Sequence, residues 1–132
     1  MYLVDTSVWL DFFRNRPTHS VKQFEEILAE NLPFGLTSVI YQEVLQGADS
    51  PRDFSKLQEY LAIQKFYHPQ DPILSYEQAA NLYFNCRRQG ITIRGTIDCL
   101  IVQIAIEHNL RLLHSDHDFT QVAKVNNKLK LA

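Results

Sequence analysis

Acidic side chains occur at four points where hydrophobic segments of the chain begin, end or turn. They are Asp5, Glu43, Asp98 and Asp116. Any one of them could be an ordinary surface charge, but carboxylate oxygens are the ligands that Mg²⁺ prefers in proteins. A cluster of such residues would suit a hard divalent cation, and sites of that kind catalyse reactions at phosphodiester bonds. We therefore predict that these residues form one metal site and the catalytic centre.

Glu43 is the acid that packing alone explains least. In a helix that advances by about 100° per residue, Glu43 falls between Val39 on one side and Ile40 and Val44 on the other. Its carboxylate therefore lies within the apolar stripe of a helix predicted at about 38–47. Burying a charge there is costly unless it is paired or bound to a metal. A salt bridge to a buried arginine is the alternative.

Asp5 and Asp98 each stand near the start of a predicted helix, which leaves a purely structural role open for both. Asp5 ends an apolar strand, and aspartate commonly caps the helix that follows. Because Thr6 or Ser7 can cap that helix instead, we expect the Asp5 carboxylate to be free. Asp98 comes two residues after the predicted cap, Thr96, where the helix dipole alone favours an acid. The helix that follows is apolar nearly all round, which places Asp98 at the edge of the core.

Asp116 has a rival two positions away. Asp116 and Asp118 flank His117 in the turn between a predicted strand and a predicted helix. Asp118 is the natural cap for that helix, which makes Asp116 the better candidate for a metal ligand. The alternative, in which Asp118 supplies the fourth carboxylate, stays open.

Several other residues that can carry chemistry are predicted to be structural. His114 and His117 lack the accompanying cysteines and histidines of a zinc site. Cys86 and Cys99 have no CxxC spacing, so we expect two reduced and mostly buried thiols. Asp11 is expected on the solvated surface. The aromatic residues expected in the core are Trp9, Phe12, Phe13, Phe24 and Phe84.

Composition bounds the class of protein. The chain has 132 residues, of which 45% are hydrophobic and 21% charged, as in an ordinary globular protein. Its formal net charge of −2 argues against a protein that coats nucleic acid, so a nucleic-acid partner would need a local basic patch. Candidate patches are Arg87, Arg88 and Arg94, and Arg14 with Arg16. No apolar run approaches the ~20 residues of a membrane helix, and no signal peptide is visible, so we expect a cytoplasmic protein without membrane contact.

Hydrophobic periodicity predicts strands that alternate with helices. Strands are predicted at 2–4, 34–37, 66–67, 111–114 and 129–131, and helices after Thr6 or Ser7, after Ser20, at about 38–47, from Pro51, at 76–89, from Thr96 to about 109 and at 118–125. This alternation favours an α/β fold with a mostly parallel central sheet flanked by helices, in one domain that spans residues 1–132. Ligands bind beyond the carboxyl ends of the strands in such sheets, and Asp5 and Asp116 both fall at such ends.

Four segments of the chain carry a combined pattern. They are Val4-Asp5-Thr6-Ser7, Glu43, Gly95-Thr96-Ile97-Asp98-Cys99-Leu100-Ile101 and Leu112-Leu113-His114-Ser115-Asp116-His117-Asp118-Phe119. In combination they resemble the PIN domain family, and more narrowly its VapC-type toxins. The resemblance implies a Mg²⁺- or Mn²⁺-dependent ribonuclease that cuts RNA such as transfer RNA, forms a homodimer and is inhibited by a cognate antitoxin protein. It also implies that Asp5, Glu43, Asp98 and Asp116 are the family's acidic quartet, accompanied by a hydroxyl of Thr6 or Ser7.

Within this quartet, Asp5 and Asp98 are predicted to be the direct metal ligands. Mg²⁺ usually keeps several waters beside one or two carboxylates. Glu43 and Asp116 would then hold such waters, or a second ion about 4 Å away. Crowded carboxylates repel one another without a metal, so at least one of them should have a raised pKa.

Two other functions remain open on the sequence alone. One is a catalytically inactive module that keeps the fold and binds RNA or protein without turnover. The other is a phosphatase or receiver-like domain in which Asp5 is the nucleophile. The Asp-x-Asp motif of such phosphatases is interrupted here, because Ser7 occupies its second acidic position.

Overall fold

A five-stranded parallel sheet forms the centre of the molecule, in the order β3-β2-β1-β4-β5. The structure, a computed structural model, describes residues 1–132. The strands are β1 (Tyr2–Val4), β2 (Phe34–Leu36), β3 (Lys65–Phe66), β4 (Arg111–Leu113) and β5 (Lys130–Leu131), and all neighbours pair in parallel. The helices are α1 (Thr6–Phe13), α2 (His19–Ala29), α3 (Ser38–Gln46), α4 (Pro51–Ala62), α5 (Leu74–Arg88), α6 (Thr96–Glu107) and α7 (His117–Val125). The predicted α/β fold with a mostly parallel sheet is confirmed.

None of the seven helices has the length and apolar character that a membrane-spanning segment requires.

The central strands are buried on both faces, as expected for parallel strands without alternation of apolar and polar residues. Leu3 and Val4 of β1, Leu36 of β2, and Leu112 and Leu113 of β4 are almost completely inaccessible to solvent. They belong to one cluster of 27 buried residues. Helix α6 contributes a second large part of this core, because every residue from 99 to 105 is buried.

Strand β1 lies where the strand order reverses. The chain passes from β1 to β2 and β3 on one side, and then places β4 and β5 on the other side of β1. Val4 pairs with Leu113 at the carboxyl ends of β1 and β4, and the amide of Asp5 donates to the Leu113 carbonyl oxygen at 2.9 Å. The residues that follow these two strands, Asp5 and Asp116 among them, start from the end of the sheet where α/β folds bind ligands.

Gly35 allows β2 and β3 to approach one another closely. A Cβ atom at this position would lie 2.4 Å from the backbone oxygen of Lys65 and 2.6 Å from the ring of Tyr67. Only glycine fits there without displacing β3 and the buried tyrosine ring.

Two helix caps differ from the predicted ones. Helix α2 is capped by Thr18, whose hydroxyl accepts from a backbone amide at 3.1 Å, and not by Ser20. Ser20 donates instead to the carbonyl oxygen of His114 at 2.7 Å. Helix α6 is capped by Gly95 rather than Thr96 and has no side-chain cap. The predicted caps are therefore wrong, although a helix does begin close to each of them.

Two predictions about burial are also wrong. Phe84, predicted in the core, is 47% exposed, because the buried stripe of α5 passes through Ala79 and Cys86 on another face. Asp11, predicted on the solvated surface, is partly buried, and its carboxylate lies 3.3 Å from the guanidinium of Arg16.

The remaining predictions about burial are confirmed. Cys86 and Cys99 are buried free thiols. The other aromatic residues predicted in the core all contribute to it, with Trp9 and Phe24 fully buried and with Phe12 and Phe13 packed against its edge.

Candidate active site

Asp5 follows β1 and is itself the N-cap of α1, which corrects the predicted cap at Thr6 or Ser7. Its Oδ2 accepts hydrogen bonds from the Ser7 amide at 3.1 Å and from the Ser7 hydroxyl at 2.7 Å. The residue is 5% exposed, and burial, partly offset by these hydrogen bonds, raises the pKa of its carboxyl to about 6. Both hydrogen bonds from Ser7 reach Oδ2, and neither uses Oδ1. Capping thus uses one oxygen and leaves the other available to a ligand.

Ser7 connects Asp5 to the turn that follows β4. The amide of Ser115 donates to Ser7 Oγ at 3.0 Å, and Ser7 Oγ in turn donates to Asp5 at 2.7 Å. Ser115 immediately precedes Asp116 in the chain. The hydroxyl therefore fixes the Asp5 carboxylate relative to the segment that carries the fourth predicted acid.

Glu43 lies on α3, where it contacts the first turn of α1. Its Oε1 accepts a hydrogen bond from the Thr6 hydroxyl at 2.9 Å. Ile40 and Val44 on the same helix are fully buried, and Glu43 itself is half-buried at the edge of their stripe. No lysine or arginine forms an ion pair with it, so the alternative of a salt bridge to a buried arginine is wrong. A neutral hydroxyl holds this carboxylate, and the protein supplies no counter-charge.

Asp98 lies in the first turn of α6. The charges of the other three predicted acids and of Asp118 all act on its carboxyl. Its carboxyl has a pKa raised to about 7. Burial is the largest cause, and further increases come from the charges of Asp5, Asp116, Glu43 and Asp118. The structure therefore brings together the four acids singled out in the sequence, and the expected raised pKa of crowded carboxylates is found at Asp98 and Asp5.

Gly95 leaves room for the Asp98 carboxylate beside the start of α6. A Cβ atom at Gly95 would lie 3.2 Å from Asp98 Oδ2 and 3.4 Å from its Cγ. Contacts this short would push the carboxylate away by a few tenths of an ångström. The backbone φ of Gly95 is −118°, which any residue can adopt. Space for the carboxylate, rather than backbone conformation, favours glycine here.

Asp116 takes the capping role that was predicted for Asp118. Asp116 caps α7, with its Oδ1 accepting from the Asp118 amide at 2.9 Å. Asp118 is buried, and its Oδ2 accepts from the amide of Arg94 at 3.1 Å and from Arg94 Nε at 3.4 Å. The prediction that Asp118 caps the helix is therefore wrong. Carboxylate oxygens of Asp98, Asp116 and Asp118 nevertheless all lie within 4.8 Å of one another.

Arg94, predicted only as part of a basic patch, is the cation that contacts these acids. Its Nη2 lies 3.5 Å from Asp116 Oδ1, and its Nε lies 3.4 Å from Asp118 Oδ2. The bond to Asp118 joins residues that are 24 positions apart, so no local pattern in the sequence could reveal it. Arg87 and Arg88 are exposed and stack on aromatic rings of α5 at 5.9 and 5.6 Å.

His114 lies beside the site as a hydrogen-bond acceptor. Its Nδ1 accepts from the Asp116 amide at 3.2 Å, and burial lowers the pKa of the imidazole, which favours its neutral form. His117 is exposed, and its ring lies 2.6 Å from the side-chain amide of Gln121. Both imidazoles thus have partners within the protein.

The set of donor atoms suits a hard divalent cation. Oxygens of Asp98, Asp116 and Asp118 lie within 4.8 Å of one another, and the charge of Asp5 also acts on Asp98. Mg²⁺ and Mn²⁺ prefer such oxygen ligands. The protein's own counter-charge is Arg94, whose side chain is 75% exposed. A cation would relieve the repulsion that helps to raise the pKa of Asp98, so the residues present fit a divalent metal ion.

The chain is similar to known proteins over nearly its whole length. A model of the PIN domain family matches residues 2–125. Ribonuclease VapC11 of Mycobacterium tuberculosis is 31% identical over 128 residues, which cover 96% of this chain and 95% of that protein. The solved structure of VapBC2 from Rickettsia felis, bound to a DNA fragment from its promoter, has a TM-score of 0.75 at 21% identity and covers 99% of this chain and 96% of that one. DNA-bound VapBC from Salmonella typhimurium has a TM-score of 0.77 at 14% identity, with the same coverage. The two structures show the fold alone, whereas the sequence matches show the family: this chain belongs to the PIN domain family, as its motifs predict.

Proposed function

We propose that this protein is a VapC-type toxin, an Mg²⁺- or Mn²⁺-dependent endoribonuclease that hydrolyses phosphodiester bonds in RNA such as transfer RNA. The observation that carries the proposal is the crowding of carboxylates around Asp98, where four neighbouring acids add to the rise of its pKa to about 7. This cluster lies at the carboxyl end of the sheet, where the strand order reverses. The 31% identity to ribonuclease VapC11 supports nuclease chemistry in preference to another use of a metal site.

We assign Asp5 and Asp98 as direct metal ligands and Glu43 and Asp116 as supporting acids. Asp5 offers the oxygen that its capping hydrogen bonds leave free, and Asp98 has no cationic partner in the protein. Glu43 is oriented by Thr6 at 2.9 Å, and the charges of Glu43 and Asp116 both reach Asp98. When bound, a divalent ion supplies positive charge that neutralises the phosphate and lowers the pKa of a water molecule.

The carboxylates must lose their protons to act as ligands. A carboxyl with a pKa of about 7, such as that of Asp98, is roughly half protonated near neutral pH when no metal is bound. Metal binding requires the deprotonated form and releases this proton, so the affinity for the ion should increase with pH. The raised pKa therefore offers a direct test of the proposed role.

RNA would have to be held beside a negatively charged centre. With a net charge of −2, the chain as a whole does not attract RNA, so phosphate contacts would come from local arginines. The exposed side chain of Arg94 lies at the acids, and Arg87 and Arg88 end helix α5. These residues are our candidates for holding the RNA backbone.

We further propose that a cognate antitoxin protein inhibits this protein. We also propose that the protein forms a homodimer, is located in the cytoplasm and has one domain over residues 1–132. The VapBC names of proteins with the same fold support the first of these. The resemblance to VapC-type toxins supports the homodimer and the cytoplasmic location, and the family match over residues 2–125 supports a single domain.

Cleavage of RNA by the purified protein tests the proposal. The wild-type protein is expected to cleave total cellular RNA with Mn²⁺ or Mg²⁺ and to stop when EDTA is added. Asp5→Asn and Asp98→Asn should each reduce the rate by at least about 100-fold, because each removes a charged ligand oxygen. Asp49→Asn is the matched control, since this exposed carboxylate makes no side-chain hydrogen bond.

Undiminished cleavage by both Asp5→Asn and Asp98→Asn would contradict the proposal. Binding of RNA by the wild-type protein without cleavage, with either metal present, would favour the inactive binding module instead. If the wild-type protein does cleave RNA, mapping the ends of the fragments would identify its RNA target.

A further inference from the structure

We infer that Arg94 and Asp118 form a brace that holds Asp98 and Asp116 at their working separation, and that Asp118 is a positioning residue rather than a metal ligand. The inference rests on the proposed metal-dependent function. It assigns roles to two residues outside the acidic quartet.

The brace consists of two contacts to one oxygen. Asp118 Oδ2 accepts from the backbone amide of Arg94 at 3.1 Å and from Arg94 Nε at 3.4 Å. One donor belongs to the main chain and the other to the side chain of the same residue. The segment before α6 is therefore fixed in both position and direction relative to the start of α7.

Each end of the brace leads directly to a site carboxylate. Arg94 precedes Gly95, the N-cap of α6, and Asp98 lies in the first turn of that helix. At the other end, the amide of Asp118 donates to Asp116 Oδ1 at 2.9 Å. The two carboxylates stand on different helices, and the Arg94–Asp118 contact joins the starts of those helices. The separation of Asp98 from Asp116 therefore depends on it.

Asp118 is poorly placed to bind a metal ion itself. Its side chain is 9% exposed, and its Oδ2 already accepts two hydrogen bonds. A cation that drew this carboxylate away would break both of its hydrogen bonds from Arg94. Asp116 is more open, with 29% of its side chain exposed, and Asp98 has no cationic partner. Asp98 and Asp116 are thus the more available to a cation, whereas Asp118 is held by two hydrogen bonds from Arg94.

If only the charge of Arg94 mattered, removing its guanidinium would strengthen metal binding rather than weaken it. A guanidinium 3.5 Å from Asp116 repels an incoming cation, so its removal would strengthen metal binding if geometry played no part. Outer partners that orient metal ligands typically contribute about 10- to 100-fold in metal affinity. If Arg94 and Asp118 set the geometry, removing the guanidinium should weaken metal binding in spite of the charge. The sign of the change separates the two effects.

Binding of Mn²⁺ to the whole chain without RNA, followed by the EPR signal of free Mn²⁺, tests the inference. Arg94→Met keeps the backbone contact and removes the guanidinium. Arg52→Met makes the same change of charge at an exposed arginine outside the brace and is the matched control. We expect Arg94→Met and Asp118→Asn to bind Mn²⁺ about tenfold more weakly and Arg52→Met to bind like the wild type. The double variant should be no weaker than the more affected single variant, because both changes remove one contact.

Affinity of Arg94→Met equal to that of the wild type, or tighter, overturns the brace. Losses that add in the double variant also overturn it, because they show that the two residues act independently. If the wild-type protein binds no Mn²⁺, the proposed function fails instead. Crystal structures of the metal-free wild type and Arg94→Met then decide the brace, which predicts a wider separation of the Asp98 and Asp116 carboxylates in the variant. An unchanged separation contradicts it.

Discussion

The amide of Ser115 donates a hydrogen bond to Ser7 Oγ at 3.0 Å, across the ends of strands β1 and β4. The same hydroxyl donates to Asp5 Oδ2 at 2.7 Å. One serine therefore determines where a buried acid lies relative to the turn that carries Asp116. Neutral hydroxyls thus hold two of the four acids, since Thr6 does the same for Glu43 at 2.9 Å.

Ser7→Ala should destabilise the fold and weaken the site together. The variant removes the hydroxyl that donates to the buried Asp5 carboxylate, and we expect the free energy of unfolding to fall by about 1 kcal/mol. The hydrogen bond from the Ser7 hydroxyl lowers the pKa of Asp5, so its loss should raise that pKa further and reduce metal binding near neutral pH. Denaturant unfolding in EDTA and RNA cleavage measure the two effects. Ser115→Ala keeps the backbone amide and is the control; an equal loss in that variant would rule out the hydroxyl link as the cause.

Metal-free protein should lose stability through Asp5 and Asp98 as the pH rises from about 4 to about 7. Their pKa values in the folded protein, about 6 and about 7, lie above the ordinary value of 3.8. The folded state therefore binds these protons more tightly than the unfolded chain, and stability falls as the pH passes through the folded pKa values. The shift at Asp5 corresponds to a loss on the order of 2–3 kcal/mol.

His114 acts in the opposite direction, because its folded pKa is lowered from 6.5 and stability therefore rises with pH around that value. To isolate the contribution of Asp98, the wild type and Asp98→Asn are compared by denaturant unfolding in EDTA at the two ends of this pH range. The variant should lose less stability on going to the higher pH. Equal losses in both proteins would contradict the raised pKa of Asp98.

Gly95→Ala should impair the site without unfolding the protein. The new Cβ would lie 3.2 Å from Asp98 Oδ2 and would displace that carboxylate, while the backbone φ of −118° accepts alanine without strain. We expect weaker Mn²⁺ binding and slower cleavage, with the free energy of unfolding unchanged or slightly increased. Gly47→Ala is the matched control, because its Cβ would meet neighbours no closer than 3.4 Å. If Gly95→Ala binds Mn²⁺ as tightly as the wild type, then displacing the Asp98 carboxylate does not affect metal binding, which would contradict this prediction.

Thr6→Val should reduce cleavage by about tenfold or more. The change keeps the shape of the side chain and removes the hydroxyl that donates to Glu43 Oε1. Thr6→Ser restores that donor and should recover most of the rate. Steady-state cleavage at saturating Mn²⁺ measures the effect. If the serine and valine variants are equally slow, the hydrogen bond is not what Thr6 contributes.

The sequence predicts the elements that packing determines. Seven consecutive buried residues of α6 appear in the sequence as a helix that is apolar nearly all round, and the alternation of strands and helices predicts the parallel sheet. Phe84 shows the limit of that reasoning. It lies two positions from the buried Cys86, on another face of α5, so its hydrophobic character alone gave the wrong burial.

Caps and long-range ion pairs depend on geometry that the local sequence does not contain. Asp5 and Asp116 cap their helices because each adopts an extended backbone just before the first turn, and a neighbouring Thr, Ser or Asp could have done so equally well. The contact of Arg94 with Asp118 spans 24 positions. It exists only because the segments before α6 and α7 meet beside the sheet.

An anomalous difference map from crystals of the wild-type protein soaked in Mn²⁺ is the most direct test of the metal site. We predict a single strong peak, or a pair, with at least one ion about 2.1 Å from a carboxylate oxygen of Asp5 and of Asp98. The peak should be absent from crystals of Asp98→Asn treated in the same way. A map without density beside Asp5 and Asp98, or with Mn²⁺ bound only elsewhere on the molecule, would contradict a metal-dependent active site at these residues.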